Sequence, residues 1–587
     1  MQQAIFWGLI GVVCLSPLPL ASNRPLPWSL LALSVGVLLV LWALCRLFEP
    51  RAAAANASGS LQRPPLPYDA GERPLNKYSI AFCLGFVLLL GWYGLQISQR
   101  TAPFAHPDWA AAAAALGEPL IGAISIEPVA GLTLLMKILS YGGIFIMALY
   151  FGRDRYSARA IFIAVALSSA AYSTYGLFMH FSGTRMVLWF PKTEYIGSVT
   201  STFINRNSFA TFAGIGVVAA LGPILHELRR LIVGRPGLLR AIQNVSVAGS
   251  GVLYLLMVVV VLDLAALILT GSRGGIVALT FGLLVFLALM LTLREVGMRH
   301  FIALLVLTAA IVFGFVAVGG GFLAKRMGGE VTEGHDARFD LFDVERLAVA
   351  ERPFVGQGLG SFPDAFNRAN NGVAVYDTAW VDLAHNSYLE LAIEGGVVGL
   401  IGSLVLLGLM VGLLLQGIFT RARSTSFAIA GVACCALVGA HALIDFSFQM
   451  PAVAATFMLL VGAAAGQSLP GALSISRRER SRQPKAQVES ERPRQDPERL
   501  RSELEALSRS ASAVEAPQQT TKEIDDLRRI AAALEALVVA QKKSAAAEAQ
   551  HAPMSNAVPG DPPAPESGRL TAKIYKLPRF RGNREST

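Results

Sequence analysis

The chain has 587 residues, of which 53% are hydrophobic and only 15% are charged. This composition excludes an ordinary soluble globular protein and indicates a polytopic membrane protein. The formal net charge of +10 does not predict nucleic-acid binding, because the Lys and Arg residues gather in short connections between apolar runs and in the C-terminal tail.

Apolar runs follow one another along the chain as far as residue 474. A membrane-spanning helix needs about 20 mainly apolar residues. The first run, which Pro17 and Pro19 interrupt, lacks the basic region and cleavage site of a signal peptide and is predicted as an uncleaved helix. We predict an all-α membrane protein with about twelve transmembrane helices, at residues 4–21, 28–48, 78–97, 131–151, 158–180, 208–226, 247–270, 275–293, 300–322, 387–416, 426–445 and 450–469.

The connections between these helices alternate between arginine-rich and arginine-poor. By the positive-inside bias the rich set faces the cytoplasm, so both termini are predicted to be cytoplasmic and the alternate helix ends to face outward. The rich connections contain Arg46, Arg51, Arg153, Arg155, Arg159, Arg229, Arg230, Arg294, Arg299, Arg421 and Arg423.

Two polar segments flank or interrupt this transmembrane core, which we place at residues 1–474. Residues 323–385, here called the island, form a long loop on the predicted outward side, and residues 475–587 form a cytoplasmic tail. In the tail, apolar residues from Ile524 to Val538 recur at three-and-four spacing, which is compatible with a short coiled coil; a solvated tail, partly helical or disordered, is the alternative. The tail is a candidate for binding a cytoplasmic partner or for self-association.

No metal or cofactor site is predicted. The five cysteines lie in apolar runs without the spacing of metal ligands, so we expect neither disulfides nor a zinc site. Asp343 and Glu345 in the island superficially resemble a metal-binding acid pair, but residues two apart on a helix do not face each other.

Three short polar motifs stand at predicted outward helix ends, and they place Arg206, Arg273 and His385 beside helix N-termini. Free backbone N–H groups and the helix dipole favour an anion there, and a guanidinium donates in parallel to phosphate oxygens. Two arginines with these helix ends are therefore suited to hold a diphosphate. The alternative is that each arginine extends to the membrane surface or pairs with an acid such as Asp263. The motifs are residues 202–209 (TFINRNSF), 270–275 (TGSRGG) and 384–390 (AHNSYLE).

His385 and Asn386 precede Ser387 and Glu390, which have the spacing of a helix capping box. The box explains the serine and the glutamate but not the two residues before them. An imidazole titrates near neutrality and is a natural general base for a sugar hydroxyl. The alternative is a hydrogen-bonded loop histidine.

Another ionisable pair, His441 and Asp445, shares one face near the outward end of the eleventh predicted helix. An ionisable pair at membrane depth is a candidate for function. A structural link between the imidazole and the carboxylate is the alternative.

The glycines fall into two groups. Gly356, Gly358 and Gly360 in the island either present N–H groups to a phosphate or form a turn. Gly395 and Gly399 recur at four-residue spacing, which predicts a face for close packing against another helix.

Together these residues resemble the O-antigen ligase and polymerase superfamily of bacterial envelope glycan enzymes. The resemblance rests on the order and spacing of the motifs and on their common position at predicted outward helix ends. It extends over about residues 198–466 and does not include the tail. The matching pieces are residues 202–210, 272–275, Arg338 followed by 353–360, 385–389 with 394–399, and 441–445.

The resemblance implies an inverting, metal-independent glycosyltransferase of the bacterial inner membrane, with its chemistry on the periplasmic side and an undecaprenyl-diphosphate-linked glycan as donor. It further implies that Arg206 and Arg273 hold the diphosphate, that Arg338 is an additional contact, and that His385 activates the acceptor hydroxyl. Asn386, next to the base, is assigned to substrate binding.

The acceptor stays open, because lipid A core, another lipid-linked glycan and a protein hydroxyl all fit this chemistry. The first corresponds to a ligase and the second to an O-antigen or exopolysaccharide polymerase. From another class, the protein could be a transporter of lipid-linked glycans. A transporter predicts ionisable residues deep in many helices, whereas here they cluster at one predicted membrane face.

Overall fold

The computed structural model describes residues 1–48, 76–232, 251–293, 337–370, 381–420 and 425–469, with only the backbone described at 230–232 and 337–340. Most of these residues are helical, and one small hairpin pairs β1 (Met186–Val187) antiparallel with β2 (Phe190–Pro191). The helices are α1 (Gln2–Leu15), α2 (Pro25–Phe48), α3 (Lys77–Gln96), α4 (Pro107–Leu116), α5 (Pro128–Phe151), α6 (Arg155–Phe181), α7 (Arg206–Ile232), α8 (Gly251–Leu269), α9 (Arg273–Thr292), α10 (Ala337–Glu351), α11 (Phe362–Ala369), α12 (Ser387–Thr420), α13 (Ser426–His441) and α14 (Pro451–Ser468).

Nine of the described helices are long and apolar enough to cross a membrane: α2, α3, α5, α6, α7, α8, α9, α12 and α14. The predicted class, an all-α polytopic membrane protein, is confirmed at that level. Helix α13 is also apolar but has only 16 residues. The predicted helix at 300–322 and the tail at 475–587 lie outside the described residues.

The first helix is shorter than predicted. It ends at Leu15 after 14 residues, a length of about 21 Å against a hydrocarbon core of about 30 Å. Pro17 and Pro19 lack a backbone N–H and so cannot continue the helix. The chain turns back instead, and the hydroxyl of Thr202 donates to the carbonyl of Pro17 at 2.7 Å.

Helices α7 and α14 form the centre of the bundle, since 89% and 94% of their membrane-spanning windows are buried inside the protein. Small residues allow this. At Gly462 of α14, an added Cβ would lie 2.7 Å from the carbonyl oxygen of Phe145 in α5, so the two backbones approach as closely as small-residue interfaces in membranes permit.

Where the structure describes them, the arginine-rich connections lie at one end of the bundle and the three polar motifs at the other. At the arginine-rich end, Arg159 pairs with Glu227 at 2.9 Å and Arg229 donates to the hydroxyl of Thr425 at 3.0 Å. This separation agrees with the alternation read from the sequence. That the arginine-rich end is cytoplasmic stays a prediction.

Helix α12 is broken at Gly396, whose φ of 63° and ψ of −167° are not helical. The break frees two carbonyls, which the island satisfies: the N–H of Gln357 donates to Ile393 at 2.7 Å and that of Gly358 to Glu394 at 3.0 Å. Exposed backbone groups at membrane depth need such partners. The sequence predicted one continuous helix here.

The glycine run of the island is therefore a close-packed turn. Gly356, Gly358 and Gly360 all have positive φ, and a Cβ at Gly356 would lie 2.5 Å from the backbone nitrogen of Gly396. Of the two interpretations left open by the sequence, the turn is confirmed, because the N–H groups of this segment bond within the fold rather than facing a ligand.

The predicted packing face on α12 is also confirmed. An added Cβ at Gly395 or Gly399 would lie 3.2 Å or 3.1 Å from the hydroxyl of Tyr93 in α3. The indole N–H of Trp92 donates to the carbonyl of Gly395 at 3.1 Å. These contacts join α3 to α12 on both sides of the helix break.

Candidate functional site

The N-termini of α7, α9 and α12 meet at one end of the bundle, around the turn that follows α13. The N–H of Ser387, the first residue of α12, donates to the carbonyl of Ala442 at 2.9 Å, and its hydroxyl donates to the carbonyl of Asp445 at 3.3 Å. Gly274, at the start of α9, lies so near that an added Cβ would be 3.2 Å from Nε2 of His441. The three motifs predicted to face outward thus converge.

Asp445 links two of these helices. Its side chain is buried, with 1% of the residue exposed, and Oδ2 accepts a hydrogen bond from the amide of Asn207 in α7 at 2.6 Å. The same oxygen is 4.0 Å from Nδ1 of His385, whose side chain is 25% exposed. That distance allows a charge interaction rather than a hydrogen bond. The carboxylate is therefore placed to orient the imidazole and to stabilise it when it is protonated.

Arg273 is the first residue of α9 and is exposed. Ser272 precedes it as the N-cap, and its hydroxyl oxygen accepts from the N–H of Gly275 at 3.1 Å. An added Cβ at Gly275 would lie only 2.6 Å from Cβ of Ala210, which is one turn beyond Arg206 in α7. Arg206 and Arg273 therefore begin two helices whose first turns are in direct contact.

Arg206 is half-buried and its guanidinium lies 5.2 Å from the ring centroid of Tyr195, within cation–π range. Asn205 caps α7, since its Oδ1 accepts from the N–H groups of Asn207 at 2.7 Å and Ser208 at 3.1 Å. Its amide also donates to the Tyr195 hydroxyl at 3.2 Å. Tyr195 thus positions the arginine, a role that no pattern in the sequence indicated.

The helix ends are more fully capped than expected. Asn386 caps α12 through Oδ1, which accepts from the N–H groups of Tyr388 at 3.0 Å and Leu389 at 3.2 Å. With Asn205 and Ser272, each of the three helices has the N–H of its third residue occupied by a side chain. An anion at this site would rely on guanidinium groups and helix dipoles more than on free N–H groups.

The predicted capping box is wrong. The cap is Asn386 rather than Ser387, and Oε2 of Glu390 accepts from the N–H of Ala384 at 2.9 Å instead of from the cap residue. Because the oxygen of Asn386 is bound to its own helix, a substrate-binding role for this residue falls on its amide nitrogen and stays a prediction.

Asp263, suggested by the sequence as a partner for an arginine, instead accepts hydrogen bonds from two serines. Oδ1 of Asp263 accepts from the hydroxyls of Ser169 at 3.1 Å and Ser173 at 2.7 Å. These bonds join α8 to α6 inside the bundle. Asp263 therefore serves helix packing rather than either arginine of the site.

His441 is buried and lies between α13 and α7. Its Nδ1 is 2.9 Å from the hydroxyl oxygen of Thr211, which in turn donates to the carbonyl of Asn207 at 3.1 Å. Because the threonine hydroxyl donates to that carbonyl, its oxygen is left as an acceptor, which favours the tautomer of His441 that carries a proton on Nδ1. His441 thus supports the same segment of α7 that holds Asp445.

The family model described as O-antigen ligase matches residues 258–404, roughly a quarter of the chain. Residues 258–404 are an O-antigen ligase domain. A comparison with curated proteins gave no match. The resemblance drawn from the sequence motifs is confirmed. The match indicates a membrane enzyme of the O-antigen ligase and polymerase type, and the apolar helices indicate a multi-pass membrane protein.

The O-antigen ligase domain contains Arg273, His385 and the island, whereas Arg206 and Asp445 lie outside it on either side. The contacts between Asn207 and Asp445 and between Gly275 and Ala210 bring these flanking parts to the domain. Arg338 falls in α10, where only the backbone is described, so its side chain lies outside the described residues.

A second polar segment, residues 97–127, packs against the island at this end of the O-antigen ligase domain. His106 is buried, and its Nε2 lies 2.8 Å from Oε1 of Gln357, while Arg368 donates to Asp108 at 2.6 Å. Burial lowers the pKa of His106, and the charge of Asp108 opposes that effect. The apolar pattern predicted no helix in this segment, although Pro107 at the start of α4 is a helix-start signal.

Asp343 and Glu345 point to different sides of α10, as predicted. Asp343 is exposed and pairs with Arg346, whereas Glu345 is buried, with 1% of the residue exposed. The two carboxyl groups therefore do not form a pair.

Proposed function

We propose that this protein transfers a glycan from undecaprenyl diphosphate to an acceptor hydroxyl at the periplasmic face of the bacterial inner membrane, with His385 as the general base. The observation that carries the proposal is the placement of the His385 imidazole 4.0 Å from the buried carboxylate of Asp445, at the junction where the helices begun by Arg206 and Arg273 meet. The O-antigen ligase domain supports a lipid-linked glycan as donor.

In the proposed reaction the acceptor oxygen attacks the anomeric carbon of the donor sugar. The bond from that carbon to the diphosphate oxygen breaks, and the acceptor proton passes to His385. Asp445 stabilises the imidazolium that forms, as an acid does for the base of a catalytic triad. A single displacement of this kind inverts the configuration at the anomeric carbon.

Arg206 and Arg273 are the proposed diphosphate ligands. Charge grows on the diphosphate as it leaves, and cations already in place stabilise that charge without rearranging. Tyr195 restricts the movement of the Arg206 guanidinium, whereas Arg273 is exposed and so accessible to a ligand. Two guanidinium groups supply the charge that a metal ion supplies in other transferases, so the proposed reaction is metal-independent.

The test uses a deletion strain complemented with His385→Ala or Arg273→Ala. Each variant is expected to abolish glycan transfer while leaving the amount of protein in the membrane unchanged. His180→Ala and Arg100→Ala are matched controls, because His180 at the end of α6 and Arg100 near the end of α3 lie at the same end of the bundle outside the proposed site. Full-length glycan in both site variants would refute the assignment.

The glycan profile of the deletion strain separates the remaining candidates. Free lipid-linked polymer that accumulates unattached identifies a ligase, and single repeat units attached to lipid A identify a polymerase. Normal glycan that is no longer exported would identify a transporter and refute the proposed transfer reaction.

A further inference from the structure

Two buried carboxyl groups, those of Glu345 and Glu390, lie next to the turn that carries His385. Glu345 belongs to α10 and is 1% exposed, while Glu390 belongs to α12 and is 8% exposed. Helix α10 packs on α12, and the two carboxyl groups are close enough to interact electrostatically. Neither has a role in the proposed transfer step.

The two carboxyl groups have different surroundings. Oε2 of Glu390 accepts hydrogen bonds from the N–H of Ala384 at 2.9 Å and from the amide of Gln449. Neither oxygen of Glu345 has a hydrogen-bond partner among the described residues. The backbone N–H of His385 faces the Glu345 carboxyl group, although the contact does not reach hydrogen-bond geometry.

Adjacent buried carboxylates repel each other, and a carboxylate that accepts N–H donors keeps its charge more readily than one that does not. The pair is therefore expected to hold one proton. Glu390 has two donors and Glu345 has none among the described residues, so the proton belongs on Glu345.

We propose that Glu345 is a positioning residue for His385: its protonated carboxyl group lets α10 rest against ionised Glu390 and so holds the turn of residues 384–386 in the orientation needed for transfer. The inference rests on the proposed function of His385. Loss of the proton would place two negative charges against each other beneath the turn and loosen it.

The electrostatic surroundings agree. Burial first, and then the charge of Glu390, raise the pKa of Glu345 to about 8, with a smaller opposing effect of the His385 N–H. Of the cations described near the pair, Arg346 and Arg368 are paired with other acids, and Lys137 lies nearer Glu390 than Glu345. On α10 itself, Arg346 pairs with exposed Asp343; from α11, Arg368 pairs with Asp108 and Glu351; from α5, Lys137 interacts with Glu390 and Glu394; and α12 contributes Glu390 and Glu394.

The test measures transfer by the purified full-length protein in vesicles between pH 6 and pH 10, with an undecaprenyl-diphosphate-linked glycan as donor. The wild-type rate is expected to fall above pH 8, by about tenfold per pH unit once Glu345 is ionised. Glu345→Gln, which resembles the protonated form, should keep the wild-type rate at pH 7 and lose that decline. Glu345→Ala should lower kcat at least about tenfold with KM for the donor within about twofold. Asp343→Asn, on the exposed side of α10, is the matched control and should behave as wild type.

An unchanged alkaline decline in Glu345→Gln, while His385→Ala is inactive, would overturn this inference alone. A Glu345→Gln protein as inactive as His385→Ala would also overturn it, because the neutral form would then not support transfer. Wild-type activity in His385→Ala would instead refute the proposed function and the inference with it. If Glu345→Ala does not accumulate in the membrane, the pH profile of Glu345→Gln decides.

Discussion

Replacing Asp445 with Asn removes a charge from the site while changing its shape very little. The amide oxygen of Asn can still accept the hydrogen bond that Asn207 donates at 2.6 Å. What is lost is the attraction between the carboxylate and the imidazolium of His385 across 4.0 Å. Two unit charges at 4 Å attract by about 4 kcal/mol at an effective dielectric constant of about 20. Because His385 is 25% exposed, solvent screens part of this, and we expect a loss of about 2–4 kcal/mol.

That range corresponds to a decrease of about 30-fold to 1,000-fold in the rate of the chemical step. The assay is single-turnover transfer by the purified protein in vesicles, with donor bound before acceptor is added. The thermal midpoint of the variant in detergent reports whether the bundle is intact. Because Asp445 acts on the base rather than on donor binding, KM for the donor should change little. A rate within threefold of wild type in an intact Asp445→Asn protein would refute the role given to Asp445.

Three further predictions concern the proposed diphosphate-binding residue Arg273, the island turn and the second polar segment. Arg273→Lys keeps the charge but loses parallel donation, so we expect KM for the donor to rise about tenfold, measured by initial rates. In Gly356→Ala the added Cβ would clash with the backbone of Gly396. Gly183 has a similar positive φ of 69° but no atom within 4 Å of an added Cβ, so Gly183→Ala controls for backbone strain alone. Gly356→Ala should lower the thermal midpoint by several degrees more than Gly183→Ala. Burial lowers the pKa of His106 in the folded protein below its usual value of 6.5, so the imidazole binds a proton more tightly in the unfolded chain than in the folded one. The free energy of unfolding should therefore fall as the pH drops below 6.5. Thermal midpoints at pH 7.5 and 5.5 measure this fall, which should be smaller in His106→Gln.

The sequence predicted well the features that depend on the length of apolar runs and on the alternating direction of successive helices. Windows of about 20 apolar residues predicted the long apolar helices that the structure describes, as for residues 131–151, which correspond to α5 (Pro128–Phe151). Alternation along the chain then required the ends that carry Arg206, Arg273 and His385 to share one face. The first helix ended early where two prolines, both visible in the sequence, remove N–H groups.

The contacts that complete the site were beyond prediction because they join residues far apart in the chain. Asn207 and Asp445 are separated by 238 positions, and no local pattern connects them. The break in α12 could not be predicted for the same reason. A glycine such as Gly396 is compatible with a continuous helix, and the break depends on the distant N–H groups of the island that bond to the freed carbonyls. The capping box failed because Asn386, one residue earlier, is an equally good cap.

The broken helix gives the island a direct influence on the proposed base. His385 stands just before the outer part of α12, residues 387–395, and the carbonyls at the end of that part are bound by Gln357 and Gly358 of the island. Detaching the island would leave two buried carbonyls without donors, at a cost of about 1–3 kcal/mol each. The island turn at residues 356–360 and the outer part of α12 should therefore move as one body. It follows that a change in the island turn can alter the rate of transfer by reorienting His385, without touching either substrate.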